Sequence, residues 1–283
     1  MEAILLISII FGVSIQNVVR KIFTDKVANG AYTFTAGSVL FALVVFVITG
    51  IGKFSFTPSV IWYSIAFSVA YSLASVGAFL AISTGSLSLT SLITQYSLII
   101  PTFYGLFVLD EKAGLPLIIG LVLLCISLVF VNIEGKTEKK ITLKWMIFAL
   151  IAFVGNGMCS TIQKAQQIRF DGMYKNEFMI IALAISVLTP AVFAIVLERK
   201  QIVASLKKGF PLYAVCGIAN GLVNLFVLIL SGKMSASVMF PVISAGGIVL
   251  TALISIFVYK EKLSLQQKIG FVLGTAAIVL LNI

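Results

Sequence analysis

The chain alternates long apolar stretches with short polar or charged breaks. A helix needs about 20 mostly apolar residues to cross the hydrocarbon layer. Ten stretches approach or exceed that length: 3–19, 30–50, 60–82, 87–109, 114–133, 145–163, 178–197, 211–231, 235–259 and 266–283. The breaks hold charge or turn chemistry, as in Arg20-Lys21, Asn29-Gly30, Gly52-Lys53 and Thr57-Pro58. The uncharged break Ser83-Thr84-Gly85-Ser86 also separates two spans, because 60–109 as a single helix would be ~75 Å long, more than twice the membrane core. Met1 to Val19 has Glu2 as its only early charge and no small-residue cleavage site before Arg20. It therefore reads as a first span rather than a signal peptide.

Composition agrees with this pattern. The chain is 60% apolar and 11% charged with a mean hydropathy of +1.14, against about 45–50% and about 25% in soluble domains. That excludes a soluble enzyme, a disordered chain, a secreted disulfide scaffold and a nucleic-acid binder. The expected fold class is an all-α integral membrane protein with ten transmembrane helices, multi-pass in the cytoplasmic membrane. Cys125, Cys159 and Cys216 lie far apart inside apolar runs, and there is no histidine. Neither a complete disulfide framework nor metal-ligand spacing results, so no metal and no cofactor is expected.

The longest polar linker, 134–144, sits at mid-chain and separates two five-span halves, 1–133 and 145–283. Shifted by 150 residues, 110–133 lies on 260–283 with ten of 24 positions identical, including Glu111/Glu261, Lys112/Lys262, Gly120/Gly270 and Asn132/Asn282. The same offset runs back without a gap to Tyr63/Tyr213, and a shift of 143 pairs Gly12 with Gly155 and Lys21 with Lys164. Shared polar landmarks at fixed spacing indicate a duplication. Five spans is an odd number, so the second copy must thread the membrane in the opposite sense. Inverted repeats of this kind are the architecture of secondary transporters, with the solute site between the halves near the midplane.

The two halves, each closed by an apolar helix, a Glu-Lys pair and a helix opened by Ile-Gly (Glu111-Lys112 with Ile119-Gly120, and Glu261-Lys262 with Ile269-Gly270), resemble the drug/metabolite transporter superfamily in its ten-helix EamA-like form. The resemblance covers essentially the whole length. It implies a carrier of small organic molecules working by alternating access, with both termini cytoplasmic. Basic residues point the other way. Fourteen lie in the connections after spans 1, 3, 5, 7 and 9 and six on the opposite side, which by the positive-inside rule puts both termini outside. The two signals disagree, and the orientation stays open.

Candidate solute-binding residues are the polar side chains within spans, which must face protein or water. Ser64, Ser68, Ser72 and Ser75 form one stripe, a pattern that equally suits helix–helix bonding. Amides carry two donors and two acceptor lone pairs and are harder to hide. Asn17, Gln95, Asn156, Gln163, Asn220 and Asn224, with Tyr71, Tyr96 and Ser244, are therefore the expected substrate-binding set. It suits an uncharged or zwitterionic solute. Gly217-x-x-x-Gly221 and Gly270-x-x-x-Gly274 read as close-packing faces. Lys21 and Lys164 fall at matched helix ends, where interfacial snorkelling is expected, and Glu111 and Glu261 at short turns.

All ten acidic residues fall at span ends or in connections. No carboxylate is thus available within a span for proton coupling, and no nucleophile–base pair for a membrane enzyme. The reading is a non-enzyme: a secondary transporter, as uniporter or exchanger, of a small polar organic metabolite. Alternatives of the same fold are a multidrug or organic-cation exporter and a lipid-carrier flippase or subunit. Expected partners are the small-molecule solute and the lipid bilayer; a homodimer is compatible with the small-residue faces, and nucleic acid is not.

Overall fold

The structure is a computed structural model that describes residues 2–27, 30–52, 55, 57–84, 90, 93–94, 96–112, 114–132, 142–257 and 265–281. Among the described residues the chain is all-helical: α1 (Glu2–Val27), α2 (Ala31–Gly50), α3 (Pro58–Thr84), α4 (Ile99–Phe107), α5 (Leu115–Asn132), α6 (Leu143–Arg169), α7 (Lys175–Leu197), α8 (Ile202–Ser231), α9 (Ala236–Phe257) and α10 (Leu265–Leu281). Six of them (α1, α2, α3, α6, α7 and α8) are long and apolar enough to cross a membrane. Shorter apolar stretches occupy α5, α9 and α10. Most of linker 134–144, the first part of the fourth expected span, and Glu261-Lys262 lie outside the described residues.

Several helices overrun the apolar stretches. α1 continues past Arg20, α6 continues past Lys164 to Arg169, and α8 starts at Ile202, ahead of Lys207 and Lys208. Backbone hydrogen bonding is indifferent to side-chain polarity, and lysine and arginine are good helix formers. Ends are set instead by caps and turns. Thr142 accepts from the Trp145 N–H at 3.2 Å to start α6, an N-cap bond. Left-handed backbone at Asp171, Gly172 and Tyr174 then turns α6 into α7.

Residues on the bundle's outer surface are apolar. Trp62, Ile48, Leu150 and Leu188 are each at least 60% exposed, an arrangement that belongs against lipid. Inside, helices meet through small residues. Ser64 and Ser68 donate from α3 to the Phe178 and Ala182 carbonyls of α7 at 3.0 and 2.7 Å, and Ser72 meets Thr189 at 3.2 Å. The serine stripe knits helices. Gly217 and Gly221 bring α8 onto the backbone of α2 at Ser38 and Ala42. Gly12 brings α1 onto α8 at Ala219 and Val223, while Gly155 brings α6 onto α3 at Ala70 and Ala74. α5 packs on α10, and α4 on α9.

α2 and α7 run antiparallel. At one end Glu198, just after α7, accepts from the Tyr32 and Thr33 N–H groups that open α2, at 2.9 and 2.8 Å. At the other, Asn176 bonds the Thr49 carbonyl at 3.1 Å, and Glu177 accepts from the Ser55 N–H at 2.7 Å. The 23 residues of α7 separate these ends by ~35 Å at 1.5 Å per residue. The end holding the α2–α3, α4–α5, α6–α7 and α8–α9 connections is termed the first face. Gly172 beside Gly232 joins two of those connections.

The glycine contacts are testable. A Cβ on Gly155 would lie 2.8 Å from the Ala70 carbonyl oxygen, whereas one on Gly114 would meet only Pro116 at 3.5 Å. Gly155→Leu is expected to cost ~1–3 kcal/mol by overpacking, seen as a lower melting temperature in detergent. Gly114→Ala is expected to leave the melting temperature unchanged.

Candidate functional site

A row of amides crosses the interior from α1 to α6. Gln16 on α1 accepts from Asn220 Nδ2 at 2.9 Å. Asn224, one turn along α8, donates to the Asn220 backbone and side-chain oxygens at 2.9 and 3.1 Å. Gln163 on α6 donates to Asn224 Oδ1 at 2.7 Å. Two turns back on the same face of α6, Asn156 donates to Ser97 Oγ at 2.6 Å, just ahead of α4. α6 spans 27 residues, and Asn156 is at its midpoint. Gln16 and Gln163 are buried, and Asn156, Asn220 and Asn224 are half-buried. Such side chains are held in place by one another, and each amide has more donors and acceptors than one such bond uses.

The structure thus joins Gln163, Asn220 and Asn224, and stacks Asn156 below them. Tyr71 lies against Phe67, with ring centroids 5.8 Å apart, in the cluster that holds Cys159 and Met179. Tyr96 is turned to the other side: its hydroxyl donates to the Cys125 carbonyl of α5 at 3.3 Å, among Leu124, Ala245 and Ala277. Ser244 is buried on α9, the helix that packs on α1 and α4. Gln95 and the Asn17 side chain lie outside the described residues.

Three participants escaped the expected set. Gln16 belongs to the row; its signal was phase, since Gly12 one turn earlier faces α8. Arg20, assigned to a connection on charge alone, is within α1 and bonded to Cys216 of α8. Lys164 is 5% exposed rather than snorkelling. Its ammonium donates to the Ser231 carbonyl at 2.9 Å and to the Met234 carbonyl, and lies 3.8 Å from Glu111 Oε1. Glu111 in turn accepts from the Ala236 and Ser237 N–H groups, both at 2.8 Å. The α8 C-terminus, with its negative end of the dipole, takes the cation; the α9 N-terminus takes the anion. Gly105 makes room, since a Cβ there would meet Glu111 Oε2 and Ala236 Cβ.

The first face also carries an open cleft of about 430 Å³, lined by Thr49, Ser55, Lys175, Asn176, Glu177 and Leu225 among others. No group of three or more potential metal-ligating residues occurs among the described residues.

Comparison with known proteins adds two likenesses. No family model matches the chain. A probable glucose uptake protein, GlcU, of Priestia megaterium is 24% identical over 280 residues, covering 93% of this chain and 92% of that protein. A solved crystal structure of a protein superimposes with a TM-score of 0.76 at 14% identity, over 99% of this chain and 98% of its own. The second likeness shows a shared fold. The first supports a membrane transporter of small metabolites and points away from an enzyme.

Removing one amide of the row leaves its neighbour unpaired. Gln163→Leu and Asn224→Leu are each expected to cost ~1–3 kcal/mol in the empty protein. The double variant should lose less than the sum, by at least ~0.5 kcal/mol, in a double-mutant cycle of melting temperatures.

Proposed function

We propose that this chain is an EamA-like carrier of the drug/metabolite transporter superfamily, moving a small uncharged polyhydroxylated solute, of the glucose type, by alternating access across the cytoplasmic membrane. The carrying observation is the neutral amide row Gln16–Asn220–Asn224–Gln163, which links helices from both halves of the chain. Amides offer donors and acceptors side by side, which is what a hydroxyl needs. The relative's description as a glucose uptake protein supports the same solute class.

Two inverted repeats, 1–133 and 145–283 joined by linker 134–144, are part of this reading. Helix pairing supports them: α1 packs on α8 as α6 packs on α3, through the sequence-matched Gly12 and Gly155. The α2–α3 and α7–α8 connections, equivalent under the duplication, lie at opposite ends of α7. Inverted halves meeting at a midplane site suit alternating access.

Organic-cation export fits less well. Among the described residues Glu111, Glu177 and Glu198 are each bonded to backbone N–H groups near helix starts. Arg20 within α1 would repel a cation yet can donate to hydroxyl oxygens. The carrier is uncoupled, since among the described residues no carboxylate stands in the row to carry a proton.

Proteoliposomes loaded with unlabelled D-glucose should take up labelled D-glucose by saturable counterflow. A protonophore should not change the rate when the membrane potential is clamped. Asn224→Leu should weaken D-glucose binding about tenfold, the worth of roughly one hydrogen bond, in a thermal-shift titration. Flux linear in concentration, with no counterflow for D-glucose or other small polar solutes, would falsify the carrier reading.

A further inference from the structure

We propose that Lys164 and Glu111 form a latch that shuts the α4–α6–α9 side of the first face, and that its release opens the amide row to that side. The proposal rests on the alternating-access reading and names the device that controls it. Three separate elements converge there: the α4–α5 connection through Glu111, α6 through Lys164, and the α8–α9 turn through Ser231, Met234, Ala236 and Ser237. The Lys164 ammonium holds the end of α8, and the Glu111 carboxylate holds the start of α9. The Lys164 bonds cannot persist if the turn swings away from α6, and the Glu111 bonds cannot persist if it swings away from the α4–α5 connection.

The choice of charges is informative. A buried ion pair is rarely better than well-packed apolar residues at holding two elements together. The two kinds of contact differ once they separate: exposed apolar surface resists opening, whereas a freed ammonium and carboxylate are hydrated at once. A contact meant to break repeatedly favours ions. The closed arrangement is also incompletely satisfied. Ser231 Oγ and Gln167 Oε1, both on residues about 1% exposed, have no hydrogen-bond partner among the described residues. Opening to water relieves both atoms and so counteracts the grip of the latch. A switch needs two states of comparable free energy.

Lys164 directly succeeds Gln163 in sequence, and Gln163 is the α6 end of the row. A solute that draws on Gln163 therefore acts within one residue of the latch. This adjacency gives a short physical route from occupancy of the row to the state of the face.

The test uses the full chain with Cys125, Cys159 and Cys216 replaced by alanine. One reporter cysteine, Ser160→Cys, is placed between Asn156 and Gln163 on the row face of α6. Proteoliposomes are labelled from each side with a membrane-impermeant maleimide, and D-glucose counterflow is measured on the same preparations. Lys164→Met and Glu111→Gln should each speed labelling from the first face about tenfold and slow it from the other, a shift of about 1.4 kcal/mol in the equilibrium. The double variant should go no further than either single one, since both break one unit. A third variant, Ala236→Pro, keeps both charges and suits the first position of a helix. It replaces the N–H that Glu111 Oε1 accepts with a ring carbon, which displaces the carboxylate from the start of α9, and should shift the rates the same way.

Rates unchanged on both faces, or raised equally on both as in a loosened fold, would overturn the latch while counterflow by the unsubstituted chain leaves the carrier reading standing. Absence of counterflow in the unsubstituted chain would sink the carrier reading itself. Failure of all three variants to reach the membrane folded would make the pair a folding element, and that result also overturns the latch.

Discussion

In hydrocarbon no solvent stands ready to satisfy a polar atom, so each one carried into the bundle has to be answered by another part of the chain. This constraint explains more of the molecule than any apolar contact does. Lipid tails solvate leucine as well as a neighbouring helix would, so burial alone gives α3 little reason to meet α7. What holds them is two serine hydroxyls bonded across to the Phe178 and Ala182 carbonyls. Backbones approach where glycine allows, and hydroxyls or amides then fasten the contact.

Helix ends obey the same rule with larger charges. The opening N–H groups of α2 and α9 have no partners within their own helices, and each pair is taken by a carboxylate from a distant connection, Glu198 and Glu111 respectively. Acidic residues that look like ordinary connection charge are thus cross-ties. The lysine beside Glu111 serves the carbonyl end of α8 in the same manner. Charge preserves helix geometry here.

The course of the chain is readable because membrane thickness imposes a length and polar punctuation marks its ends. Helix existence is legible on those grounds; helix ends are not, since Arg20 and Lys164 remain helical despite their charge. Among candidate residues, Asn220, Asn224 and Gln163 are recognisable as amides too costly to bury unpaired. Their mutual bonding is not recognisable, because partners such as Gln16 and Asn220 are 204 residues apart. The placement of Tyr96 is illegible for a similar reason. An aromatic within a polar stretch shows no preference for a face, and here the Cys125 carbonyl claims its hydroxyl. Lys164 looks interfacial in the sequence because hydropathy marks where charge occurs along a chain, while the answering carbonyls of Ser231 and Met234 come from elsewhere.

The 204-residue interval between Gln16 and Asn220 also has a meaning in time. At about 5–20 residues per second a ribosome needs roughly 10–40 s to produce that length. Throughout it α1 is already made, while the helix against which Gly12 packs does not yet exist. A nascent α1 must therefore shelter its glutamine with borrowed partners, either lipid headgroups or the insertion machinery, and surrender them when α8 arrives. Biogenesis of this protein is consequently a waiting problem, in which the earliest helix docks among the last.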